Sequence, residues 1–246
     1  MKNFILILQF MTRIPININL KVERENFQKG VAYFPLVGLI VGGLEALVYY
    51  VSARIFSVSI ASFFALVTHI VVTGAIHIDG FGDTIDGIFS GRSKEKILEI
   101  MKDSRVGTFG AVGIILLILG RFIAIKDMPF DTAITAIVLA PIIGRTFVTF
   151  LMYKRKYARE KEGLGDLFIG VLEKKSFLIA LVIGCILTLV IAKERGIILL
   201  IAGFGVSILF RNYVEKKIDG VTGDVLGASI ELNELLILLL FTSSLF

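Results

Sequence analysis

Three aspartates fall within eight residues, in the run Asp79-Gly80-Phe81-Gly82-Asp83-Thr84-Ile85-Asp86. At about 100° per residue, a helix sets Asp83 near +40° and Asp86 near −20° from Asp79, so the three carboxylates share one narrow stripe. Like charges at that spacing repel, and more strongly where water is scarce. A bound cation removes the conflict. Oxygen-only donors select a hard ion, Mg²⁺ or Mn²⁺, whose shell phosphate oxygens and water complete. Gly80 and Gly87 flank the stripe and open the backbone to a bulky substrate or a second helix. His77 falls on the opposite helical face.

Further chemistry lies downstream. Asp103 can add or orient a metal ligand, and Arg105 can fork onto a phosphate; the plainer alternative is a surface ion pair between them. Arg145 sits in the apolar run Pro141-Ile142-Ile143-Gly144-Arg145, where a charge is expensive and needs a purpose. It either meets substrate phosphate or pairs with an acid such as Glu45. A second acidic, Gly-rich segment runs from Asp219 to Ala228, with Glu231 and Glu234 after it. Two such segments on one side of a bilayer can close around two metals, or one metal and a nucleotide. His69 has no second His at a ligand spacing and reads as a satisfied core residue.

The elements that must position these groups are membrane helices. The 246 residues are 56% hydrophobic and 19% charged, against about 25% charged in an average soluble domain. Seven runs are long and apolar enough to span a bilayer: 31–53, 57–76, 108–125, 131–153, 176–192, 196–213 and 229–246. Twenty of the 26 Lys and Arg lie in the N-terminal 30 residues and in 77–107, 154–175 and 211–217. The opposite side receives only Arg54, Lys126, Lys193 and Arg195. This split puts the N-terminus and the acidic segments in the cytoplasm. The net charge of +5 is spread between spans, which excludes a nucleic-acid partner and points to membrane lipid and anionic substrates. The single Cys185 allows no internal disulfide, and no Cys/His cluster suggests zinc. Residues 1–15 lack a cleavage site and read as a retained interfacial or re-entrant element. Gly38-x-x-x-Gly42 marks a close helix approach. The expected fold is all-α: a polytopic integral membrane helical bundle of about seven transmembrane helices, forming a single domain over 1–246.

Several segments in order resemble the cobalamin (5′-phosphate) synthase family, the adenosylcobinamide-GDP ribazoletransferases. They include Gln9-Phe10-Met11-Thr12-Arg13-Ile14-Pro15, Phe34-Pro35-Leu36-Val37-Gly38, and His77-Ile78-Asp79-Gly80 with Asp83-Thr84 and Asp86-Gly87. Lys102-Asp103-Ser104-Arg105, Tyr157-Ala158-Arg159-Glu160, Gly163-Leu164-Gly165, Phe168-Ile169-Gly170 and Thr222-Gly223-Asp224 continue the pattern. The resemblance covers nearly the whole chain. It implies a Mg²⁺-dependent transferase in the cell (inner) membrane of a prokaryote, with its active site on the cytoplasmic side. The implied substrates are adenosylcobinamide-GDP and α-ribazole or α-ribazole 5′-phosphate, with GMP as the leaving group. Joined to the acidic stripe, it makes Asp79, Asp83, Asp86 and Asp224 the expected metal ligands, Asp79 foremost. Asp79, Asp83 and Asp103 are the expected catalytic groups. Arg105, Arg145, Arg159, His77, Thr222 and Gly223 are expected to meet the substrates. A homo-oligomer is left open.

Two other membrane transferases share part of this logic. CDP-alcohol phosphotransferases follow Asp-Gly with Ala-Arg two residues on, whereas here Gly82-Asp83 follows. Prenyltransferases use paired carboxylates at the Asp79-x-x-x-Asp83 spacing. A transporter, the reading from another class, finds no internal repeat to support it.

Overall fold

In hydrocarbon every backbone amide and carbonyl must be satisfied inside its own segment, and this chain meets that demand with helices. The computed structural model describes residues 1–160 and 163–244. Its helices are Lys2–Met11 (α1), Arg24–Gly30 (α2), Phe34–Ser52 (α3), Val58–Thr73 (α4), Ile76–Phe89 (α5) and Lys94–Ile100 (α6). Then come Thr108–Asp127 (α7), Phe130–Phe147 (α8), Thr149–Met152 (α9), Lys174–Ala192 (α10), Arg195–Ile218 (α11) and Gly223–Leu240 (α12). Short 3-10 turns sit at Val31–Tyr33 and Leu164–Leu167, and no β-strand occurs among the described residues. The protein is an all-α membrane bundle. Lys161, counted above among the basic residues, and the last two residues of the expected span 229–246 lie outside the described residues.

Among the described residues, five helical stretches are long and apolar enough to cross a membrane: Arg24–Ser52, Thr108–Asp127, Phe130–Met152, Lys174–Ala192 and Arg195–Ile218. A sixth is counted if α4 and α5 form one broken span, since they meet at 89°. The sequence predicts seven. The difference lies in α12, which begins at Gly223, ahead of the expected 229, and carries Asp224, Glu231 and Glu234. Those acids make it too polar to face lipid, and the other helices enclose it.

The bend between α4 and α5 puts the acidic segment on an axis of its own rather than on that of the span before it. Gly74 (φ +64) and Ala75 (φ +59) are both left-handed, so α4 ends and α5 starts on a new axis. The N-terminal segment secures the corner. Arg13 donates its backbone N–H to the Val72 carbonyl at 2.7 Å, and its side chain lies over Gly74, where a Cβ would collide with it.

Burial separates centre from rim. The apolar stretch made by α8 and α9 is 78% buried, against 22% for α11, so α8 is central and α11 faces lipid. Exposed apolar side chains such as Leu116, Val190 and Leu209 make the same statement for α7, α10 and α11. The Gly38-x-x-x-Gly42 motif does bring two backbones together. A Cβ on Gly42 would lie 2.8 Å from the Ile137 carbonyl oxygen, and Gly38 sits against the Pro141 carbonyl. Pro141 lacks an N–H, so it leaves the Ile137 carbonyl without its helical donor at just that contact.

The polar stretches that Lys/Arg counting assigns to one side are tied to each other. Arg24 pairs with Asp166, Lys94 and Lys156 both pair with Asp219, and Arg159 pairs with Asp224. All four stretches therefore meet at one end of the bundle.

Candidate active site

Helices α5 and α12 approach through reciprocal notches. A Cβ on Gly80 of α5 would lie 2.9 Å from the Cα of Asp224, and one on Gly227 of α12 would lie 3.1 Å from the Cα of His77. Each glycine thus receives the backbone that carries the other helix's functional residue. Asp79 stands in the first turn of α5 and Asp224 in the first turn of α12, where the helix macrodipoles favour negative charge. Thr222 is the N-cap of α12. Its buried hydroxyl accepts from the Val225 N–H at 3.3 Å and donates to Asp224 Oδ2 at 3.2 Å.

A cavity of about 210 Å³ opens at this contact. One wall is polar and holds His77, Asp79, Gly80, Gly223 and Asp224. The other is apolar: Phe10 and Met11 of α1, Phe34 of α3, Met152 of α9, and Leu164 and Phe168. His77 reaches the cavity although it faces away from Asp79, because the cavity wraps around the first turn of α5. The ring is 7% exposed, and its Nδ1 has no hydrogen-bond partner.

Arg159 enters from the loop after α9. That loop is laced to the segment before α12 by an isolated parallel bridge between Tyr157 and Val221. Ala158 N–H donates to Val221 O at 3.0 Å, and Val221 N–H donates to Lys156 O at 2.9 Å. So placed, Arg159 Nη2 donates to Asp224 Oδ2 at 2.7 Å and to the Met101 carbonyl at 3.2 Å. Asp83 is half-buried and feels the like charges of Asp224, Asp79 and Asp86, opposed by Arg159. Asp79 and Asp224 on the cavity, with Asp83 beside them, set three carboxylates against one guanidinium and leave an excess of negative charge. An oxygen-only donor set of that kind suits Mg²⁺.

The other expected site residues have different partners. Asp86 spends both oxygens on the start of α7, accepting Gly107 N–H at 2.6 Å and Gly110 N–H at 2.8 Å. Gly87 receives the side chains of Ile97 in α6 and of Met101 just after it, rather than a ligand. Arg105 forks onto Asp103, with Nη2 to Oδ2 at 2.6 Å, and those hydrogen bonds hold the Asp103 carboxyl down to about 2. The Arg105 side chain is 88% exposed.

Arg145 lies deeper, in a buried ion network. Its Nη1 donates to Glu234 Oε1 at 2.8 Å, not to Glu45. Arg121 donates to Glu231 at 2.9 Å and to Glu234 at 3.0 Å. His69 faces Glu45 at 2.8 Å through Nδ1 and Glu231 at 3.2 Å through Nε2. Among the described residues, the tightest grouping of possible metal ligands is here, with His69, Glu231 and Glu234 atoms within 4.8 Å of one another. Arg121 already lies between the two glutamates, so a guanidinium stands where a metal would. Three buried carboxylates are offset by two guanidiniums and a doubly bonded imidazole. Glu231, on the same helix as Asp224, belongs to this network. The apolar wall was missed in the sequence: its residues come from helices that meet only in the fold.

The family model described as cobalamin-5-phosphate synthase matches residues 3–242. An adenosylcobinamide-GDP ribazoletransferase of Clostridium novyi (strain NT) is 42% identical over 99% of this chain and 97% of its own length. Another, of Clostridioides difficile (strain 630), is 42% identical over 97% of this chain and 96% of its own. A third, of Clostridium tetani (strain Massachusetts / E88), is 39% identical over 99% and 97%. No solved structure matches the chain. The match runs from α1 through α12 and takes in both walls of the cavity and every segment of the acidic pattern, and so the chain belongs to the cobalamin-5-phosphate synthase family.

Proposed function

We propose that the chain joins adenosylcobinamide-GDP to α-ribazole, or to its 5′-phosphate, at the Asp79–Asp83–Asp224 cluster. A ribose hydroxyl oxygen bonds to the phosphorus that carries cobinamide, and the bond from that phosphorus to the GMP oxygen breaks. The products are the cobalamin (or its 5′-phosphate) and GMP. The observation that carries this reading is the meeting of Asp79 and Asp224 at one half-apolar cavity, with Arg159 on Asp224 and the Asp83 carboxylate near enough to feel both acids. Asp79, Asp83 and Asp224 are the residues that would hold Mg²⁺. When bound, that ion supplies charge neutralisation across the diphosphate.

The chain's own groups supply the rest. Arg159 anchors Asp224 and offers its remaining N–H donors to phosphate oxygen, and Arg105 is free enough to swing toward the same charge. The hydroxyl proton passes to the aspartate cluster. Asp103 is the poorer acceptor, since its carboxyl is held down to about 2 by Arg105. The ion pairs that gather four basic stretches at the end bearing the cavity support a cytoplasmic site in a prokaryotic cell membrane.

The test is GMP release by detergent-solubilised protein given both substrates and Mg²⁺. Wild type should turn over without a sealed compartment. Asp79→Asn and Asp224→Asn should each lose on the order of 100-fold or more in rate. Wild-type rates in Asp79→Asn, or wild type releasing no GMP, would overturn the proposal.

A further inference from the structure

The cavity is too small for either substrate whole. Drug-sized ligands occupy roughly 300–1,000 Å³, against about 210 Å³ here, and adenosylcobinamide-GDP is larger still. It can therefore take one fragment. The fragment must be apolar on one side and must present a reacting group on the other, as the walls do.

The apolar wall is aromatic. The Phe168 ring lies 5.4 Å from Phe10 and 5.9 Å from Phe34, centroid to centroid, and Met11 and Met152 fill beside them. None of these side chains carries a hydrogen-bonding group. A guanine can stack there too, but the wall offers its carbonyl and amine no partner, so a base without those groups is the better match. A corrin with its rim of amides fails by size and by the same chemistry. A flat, uncharged, fused-ring base fits, because stacking on aromatic rings needs only a π-face. Ribazole is such a base carried on a ribose.

We infer that the Phe10–Phe34–Phe168 wall is the binding subsite for the base of α-ribazole. This inference rests on the proposed function. Its consequence is directional: a base seated on the phenylalanines points its ribose at Asp79 and Asp224 across the cavity. The large cobinamide half then stays outside, with only its diphosphate reaching the carboxylates. Helix α1 thereby becomes part of the acceptor site, since it supplies Phe10 and Met11.

Equilibrium binding of α-ribazole and of adenosylcobinamide-GDP, each alone, to detergent-solubilised wild type, Phe10→Ala and Phe10→Leu tests this. Phe10 is half-buried at the edge of α1, and the Leu variant keeps the apolar bulk if the Ala variant fails to fold. Phe10→Ala should weaken α-ribazole binding about tenfold, Phe10→Leu less, with adenosylcobinamide-GDP binding unchanged. The inference is overturned by unchanged α-ribazole affinity in both variants, or by a loss that falls on adenosylcobinamide-GDP. Wild type that binds α-ribazole in this Phe10-dependent way yet releases no GMP sinks the proposed reaction and leaves the subsite standing.

Discussion

Gly80 and Asp224 are 144 positions apart in the chain and touch through backbone: a Cβ on Gly80 would lie 2.9 Å from the Cα and the carbonyl oxygen of Asp224. The acidic faces of α5 and α12 share a cavity only because one of them is bare at this point. Gly80→Ala should force α5 and α12 apart, at about 1–3 kcal/mol of overpacking. We expect GMP release to fall at least tenfold while helix content is kept. Gly43→Ala is the control, since a Cβ there meets nothing within 4 Å. Equal activity in the two variants would show that the notch does not position the site.

Asp86 separates a cap from a ligand. Asn in its place can accept from only one of Gly107 and Gly110, and its NH₂ group faces the other amide. Thermal unfolding in detergent should show Asp86→Asn destabilised by about 1–2 kcal/mol. The Mg²⁺ concentration giving half-maximal activity should not move. An unchanged melting point with a several-fold higher Mg²⁺ demand would return Asp86 to the metal set.

Glu234 holds two buried guanidiniums, Arg121 at 3.0 Å and Arg145 at 2.8 Å. Removing one member of such a group strands its partners in a medium that cannot solvate them. Glu234→Ala should cost about 3–5 kcal/mol, read as a lower melting temperature or lower yield of inserted protein. A neutral result would mean that water reaches the network.

Asp103 and Arg105 give a pH prediction. A carboxyl whose folded pKa is depressed keeps its charge as pH falls and loses it only near that value. Asp103 is held at about 2, below the ordinary 3.9 or so. It therefore stays ionised from pH 8 down past pH 4. Asp103→Asn should leave the acid limb of the pH–rate profile between pH 4 and 6 where it is in wild type. A shifted limb would identify Asp103 as the titrating base. Arg105→Ala should in turn raise KM for adenosylcobinamide-GDP several-fold without altering the melting temperature.

The parts legible in the sequence were those decided by near neighbours. The Asp79–Asp83–Asp86 run lies on one helix as its spacing requires, and Gly38 and Gly42 do admit α8. What stayed hidden depends on partners far along the chain. Asp86 looked like a third ligand because the amides that occupy it belong to Gly107 and Gly110. Arg145 offered Glu45 or a phosphate, but the geometry of α12 supplies Glu234. The corner at Gly74–Ala75 was invisible to hydropathy, since a turn made by Gly and Ala in the left-handed region interrupts no apolar pattern. Helix α12 reads from sequence as a span because the groups that neutralise its acids, Arg121, Arg145, His69 and Arg159, lie far along the chain.

Helix α12 also sets an order of assembly. It is made after α3, α4, α7 and α8, the helices whose Glu45, His69, Arg121 and Arg145 it joins. Until it inserts, Arg121 and Arg145 lack the glutamates that satisfy them, and α5 lacks Asp224. One helix thus completes the ionic core and the reactive face in a single event. A nascent bundle halted before α12 has neither the paired guanidiniums nor an acid opposite Asp79.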